Sequence, residues 1–116
     1  MLLVEDDEMV RESATACLHE AGYRVLQAAC VEDAKQVLEH KSSIAMVITD
    51  VVMPGEEDGY DLAKFIKQSS PDIQVLVMSG YIGDDRLHAP NVPFLQKPFS
   101  NNALLTKIND LLKPSA

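Results

Sequence analysis

The chain has no tryptophan, three phenylalanines, three tyrosines and two cysteines among its 116 residues. With so few aromatics, the core must be filled by aliphatic side chains and methionine, and Met46, Met53 and Met78 read as core filler. Cys17 and Cys30 show neither CxxC spacing nor a histidine in metal-ligand register, which disfavours a disulfide framework and a zinc site. Two free thiols, buried or half-buried, suit a reducing compartment. Positive charge is scarce as well. Ten Lys and Arg against eighteen Asp and Glu leave a net charge of −8, which argues against a nucleic-acid surface and against docking on anionic lipid. No apolar run approaches the ~18 residues of a membrane helix, and no leader pattern opens the sequence, so a cytoplasmic domain without membrane contact is expected. A Gly- and Ser/Thr-rich phosphate loop is missing too. Glu5-Asp6-Asp7-Glu8 follows the first apolar run instead and would repel a phosphate, which disfavours a flavodoxin-like nucleotide binder.

What the sequence does contain is alternation. Short apolar runs at residues 1–4, 23–28, 44–50, 73–78 and 92–96 read as strands. Between and after them, three- and four-residue spacing of apolar side chains predicts helices over 8–21, 31–40, 59–68 and 102–112, the last with Ser100 as N-cap. Residues 82–88 allow only a short helix before Pro90. Strands and helices in strict turn, with continuous apolar strands, predict one α/β domain over 1–116: three layers, doubly wound, with a five-stranded parallel sheet between helices.

In such a sheet the C-terminal strand ends share one edge, where loops and helix N-termini collect ligands and chemistry. The ends here are Glu5 and Asp6, then Asp50, Ser79 and Lys97. Asp50 closes the most apolar run and is the candidate reactive group. Clustered carboxylates repel unless a cation neutralises them, and an all-oxygen set without His or Cys favours Mg²⁺. A cation, an amine and a hydroxyl around an exposed carboxylate offer partners for the three oxygens of a phosphoryl group.

Taken in order, Glu5-Asp6, Asp50-Val51-Val52-Met53-Pro54, Gly59, Ser79-Gly80 and Lys97-Pro98 resemble the motifs of the receiver domain of two-component signalling, over essentially the whole chain. The loop from Asp50 to Gly59 is one residue longer than in many chemotaxis-type receivers and is similar to receivers attached to hybrid histidine kinases. The resemblance implies a flavodoxin-like strand order 2-1-3-4-5. It implies that Asp50 accepts a phosphoryl group from a phosphohistidine on a histidine kinase or histidine phosphotransfer protein. It further implies Mg²⁺ held by Asp6, Asp50 and the carbonyl of Val52, with Glu5 reaching it through water. Ser79 and Lys97 would contact the phosphoryl oxygens, and the Lys97–Pro98 bond would be cis.

Ser79 and Phe94 fall at the family's switch positions, and Phe94 lacks a hydroxyl, so burial of its ring alone would separate the two states. Ser79 to Lys97 is shorter than usual by about one helical turn. Val52 and Tyr81, flanking the phosphoryl site, are poor at orienting water, which implies slow hydrolysis. The alternative is a pseudo-receiver, a protein-interaction scaffold without phosphotransfer. A homodimer through the last two helices is left open by the sequence.

Overall fold

A computed structural model describes residues 1–40, 44–51, 55, 57–79 and 93–112, with Ser79 described by its backbone alone. The expected short helix over 82–88, the Val52 carbonyl, Met53, Gly80 and Tyr81 lie outside the described residues.

Strand β1 (Leu2–Val4) is buried throughout and runs directly into the acids. Asp7 turns the chain into helix α1 (Glu8–Glu20): its carboxylate accepts the Met9 and Val10 N–H groups at 3.0 and 3.2 Å, which satisfies donors that the first turn leaves free. At the other end Gly22, at φ 97°, lets its own N–H reach the His19 carbonyl and that of Tyr23 reach the Leu18 carbonyl, a Schellman closure. This closure engages Tyr23, so strand β2 is Leu26–Ala28 rather than the expected 23–28.

Helix α2 (Val31–His40) and strand β3 (Met46–Asp50) follow. Helix α3 (Gly59–Ser69) opens on a capping box in which Asp58 accepts the Asp61 N–H and Asp61 accepts the Asp58 N–H. Strand β4 (Gln74–Ser79), strand β5 (Phe94–Gln96) and helix α4 (Asn101–Leu112) complete the described elements. Ser100 caps α4 by accepting the Ala103 N–H at 3.0 Å.

All strand pairings are parallel and the order is β2-β1-β3-β4-β5. Because strand side chains alternate between faces, the apolar residues separate into two cores. Leu2, Val4, Val47, Val75 and Val77 pack under α2 and α3 with Ala34, Leu62 and Ile66. Leu3, Met46, Ile48, Leu76 and Met78 pack under α1 and α4 with Leu18, Leu104 and Ile108. Strand β3 has no exposed residue, as a strand covered on both faces and paired on both sides must not.

Candidate functional site

The register of the sheet assembles the site. Val4 pairs with Thr49, Asp50 with Met78, and Ser79 with Gln96, so Glu5, Asp50, Ser79 and Lys97 follow one another at a single edge. Alternation assigns the face as well. Glu5 shares the parity of Leu3, Asp50 that of Ile48, and Lys97 that of Leu95, all three belonging to the core under α1 and α4. Their side chains meet there. Lys97 Nζ donates to Glu5 Oε1 at 2.7 Å and stands 3.4 Å from Asp50 Oδ2.

The environments of the three acids differ sharply. Glu5 is 1% exposed, Asp50 is nearly buried at 9%, and Asp6 is exposed. Asp50 Oδ1 is fixed by the Val51 N–H at 2.9 Å. Burial, reinforced by the neighbouring Asp50 carboxylate, lifts Glu5 from its ordinary 4.5 to about 7, against the opposing pull of Lys97. Burial alone would depress the Lys97 ammonium, but its hydrogen bond to Glu5 and the charge of Asp50 hold it above its ordinary value.

Among the described residues, Glu5 Oε2 is buried and makes no hydrogen bond. A buried carboxylate oxygen in that state is costly, and a cation or its bound water would satisfy it. One ligand atom each from Glu5, Asp6 and Asp50 lies within 4.8 Å of the others. An all-oxygen trio of this kind suits a hard divalent cation, so the residues present fit the ion that the sequence implies.

In the cation-free native state Glu5 keeps its proton up to about pH 7, whereas the unfolded chain releases it near 4.5. The stabilisation from that proton is complete below pH 4.5 and is lost as pH rises through about 7. Between pH 5 and pH 8 with a chelator present, urea unfolding should therefore show wild type losing stability relative to Glu5→Gln, by about 3 kcal/mol at most. A flat difference between the two proteins would refute the assignment.

Other expected residues are placed as follows. Ser79 ends β4 at the shared edge. Phe94 opens β5 opposite Val77 and is half-buried. The Lys97–Pro98 peptide bond is cis. Gly59 lies against the turn after β3: its N–H donates to the Val51 carbonyl at 2.9 Å, and a Cβ there would overlap the Asp50 carbonyl oxygen and stand 2.9 Å from the Asp50 carbonyl carbon. Glu57, just before α3, is gripped through both carboxylate oxygens by Lys35 of α2 at 2.8 and 2.9 Å, and Lys35 Nζ also stands 4.7 Å from the Phe65 ring centroid.

Arg11, which no sequence motif marks, donates from Nη1 to the Glu5 main-chain carbonyl at 2.8 Å. A polar residue on the exposed half of an amphipathic helix carries no local signal of such a contact.

Between α1 and the start of α4, a cleft of about 370 Å³ opens beside Lys97, walled by Met9, Val10, Pro98, Phe99 and Leu104. Met9 is 81% exposed. No helix among the described residues is long and apolar enough to cross a membrane.

Comparison with known proteins places this arrangement. A family model described as the response regulator receiver domain matches residues 1–109. The sensor kinase CckA of Brucella abortus (strain 2308) is 37% identical over 97% of this chain, which spans 12% of that kinase. The response regulator protein FleR of Pseudomonas aeruginosa is 36% identical over 90% of this chain, and the matched part is 23% of its length. Among solved structures, the receiver domain of the hybrid histidine kinase CckA superposes with a TM-score of 0.81 at 34% identity, covering 97% of both chains.

Proposed function

Since the chain belongs to the response regulator receiver domain family of two-component systems, we propose that it accepts a phosphoryl group on Asp50 from the phosphohistidine of a kinase or phosphotransfer protein and thereby changes its affinity for a partner. The observation that carries this reading is the placement of Lys97 Nζ, 2.7 Å from Glu5 and 3.4 Å from Asp50, beside an exposed Asp6 and a carboxylate oxygen with no partner. Asp50 is held for attack rather than buried as structural ballast. Its Oδ1 is oriented by the Val51 amide, and the carboxylate stands at the end of a strand buried along its whole length.

In the transfer, a carboxylate oxygen of Asp50 forms a bond to phosphorus as the bond from phosphorus to the donor imidazole nitrogen breaks, and the imidazole leaves with the electron pair. Glu5, Asp6 and Asp50 would hold Mg²⁺, which when bound neutralises charge on the phosphoryl oxygens and the clustered acids. Lys97 supplies the complementary positive charge from the side of β5, and its pairing with Glu5 keeps the ammonium at the site before a donor arrives. Ser79, at the same edge, is proposed as a further phosphoryl contact, and Ser79 and Phe94 as the residues that report the change. The apolar cleft from Met9 to Phe99, with Lys97 at its rim, gives a protein donor a surface within reach of Asp50.

Incubation of the domain with acetyl phosphate and Mg²⁺ should add one phosphoryl group by intact mass, mapped to Asp50, with no gain when Mg²⁺ is chelated. Failure to gain mass together with failure to bind Mg²⁺ would point instead to the pseudo-receiver scaffold.

A further inference from the structure

A side chain about one turn into α1 is bonded to the main chain between the two adjacent acids. The Glu5 peptide is clamped on both sides: its N–H donates to the Ala28 carbonyl of β2 at 3.0 Å, and its carbonyl accepts Arg11 Nη1 at 2.8 Å. That carbonyl belongs to the same planar unit as the Asp6 N–H, so fixing its direction fixes the direction in which Asp6 leaves the strand. Arg11 is itself braced. Its Nε donates to Gln27 Oε1 at 3.3 Å, and Gln27 Nε2 donates to Thr15 Oγ1 at 3.0 Å, one turn further along the same helix. Helix α1, strand β1 and strand β2 are thus tied by one guanidinium at the point where the acids begin.

Asp6 is the acid that most needs this. Glu5 is buried and paired with Lys97, and Asp50 is held by the Val51 amide, whereas Asp6 is exposed and depends on its backbone for position. We infer that Arg11, braced by Gln27, is a positioning residue that sets the Asp6 carboxylate for divalent-cation binding. The inference rests on the metal reading given under Proposed function.

The sign of the effect separates positioning from charge. Arg11 is a cation bonded to the main chain of one proposed ligand, so if its charge were all that mattered, removing it would tighten Mg²⁺ binding. If it positions Asp6, removing it must loosen binding. Groups that orient metal ligands from outside the ligand set are worth about tenfold or more in affinity when lost.

The experiment is a titration of the chelator-treated domain with Mg²⁺ alone, followed by amide chemical shifts, for wild type, Arg11→Met, Arg11→Lys and Gln27→Ala. Arg11→Met is expected to weaken binding about tenfold, Arg11→Lys to recover part of the loss through its remaining donor, and Gln27→Ala to weaken binding less than Arg11→Met does. Arg11→Met binding as tightly as wild type, or more tightly, overturns the inference while leaving the metal reading intact. No saturable shift in wild type overturns the metal reading itself, and this one with it. If Arg11→Met does not fold, Gln27→Ala decides: weaker binding supports positioning, and unchanged affinity overturns it.

Discussion

Asp50→Asn is expected to abolish Mg²⁺-dependent phosphoryl uptake while leaving the domain folded, and Lys97→Met to slow uptake a hundredfold or more. The two losses have different causes. Asparagine keeps the oxygen that accepts the Val51 N–H and fits the same space, so the turn after β3 stands, but the amide offers no anionic oxygen to attack phosphorus. Methionine at 97 leaves the nucleophile in place and removes the ammonium 3.4 Å from it; loss of one such preorganised charge costs on the order of 10²–10³ in rate.

Lys97→Met carries a second consequence. It leaves Glu5, 1% exposed, without the Lys97 hydrogen bond at Oε1. Breaking a buried pair from one side costs on the order of 3–5 kcal/mol, and Glu5 limits that cost by taking up a proton. The double variant Lys97→Met with Glu5→Gln should therefore regain much of the stability without regaining phosphoryl uptake. Denaturant unfolding and intact mass after phosphodonor treatment, performed on wild type, Lys97→Met, Glu5→Gln and the double variant, separate the two effects. Recovery of uptake in the double variant would refute a direct role for Lys97 at the phosphoryl group.

Gly59→Ala is expected to destabilise the domain by several kcal/mol, as much as the loss of a large core side chain. The reason is steric rather than conformational. The added methyl group would meet the main chain of Asp50 and Val51, with the Asp50 carbonyl carbon at 2.9 Å and Val51 Cα at 3.0 Å, and none of these atoms can rotate away as a side-chain tip would. Relief requires α3 to lift from the end of β3, which breaks the Gly59 N–H to Val51 carbonyl bond and disturbs the capping box at Asp58 and Asp61. A comparison with Gly55→Ala isolates the cause, because among the described residues a Cβ at Gly55 would meet nothing within 4 Å, while its φ of 99° is positive. Gly59→Ala should lose more stability than Gly55→Ala in denaturant unfolding; equal losses would show that the contact with Asp50 is unimportant.

Much of this architecture was legible from local pattern. The helix over 31–40 and the strand ending at Asp50 emerge as expected, because an apolar face at three- and four-residue spacing and a run of β-branched residues each admit one reading. Strand β2 was read too long because Tyr23 and Val25 are apolar and pack on the core, while the Schellman closure that engages the Tyr23 N–H is a matter of φ at Gly22.

At the site, sequence identifies which residues reach the shared edge, since each acid or base stands where an apolar run stops. It does not distinguish their surroundings. Glu5 and Asp6 are neighbours in one acidic run, yet one is sealed in the core beside Lys97 and the other faces solvent, a difference that follows from strand parity and from a partner 92 positions away. The Arg11 contact was invisible for a similar reason. It depends on where α1 docks across the sheet, and no spacing within the helix records that.

Strand β3, enclosed on both faces and both edges, also sets a timescale. Its central amides are expected to exchange with solvent more slowly than those of β5, which is three residues long and lies at the sheet's margin, and hydrogen exchange would check the order. The carboxylate that would carry a covalent mark is therefore mounted on the most enclosed strand among the described residues. The lysine that answers to it follows the short strand at the margin, so memory and response are lodged in segments of different enclosure.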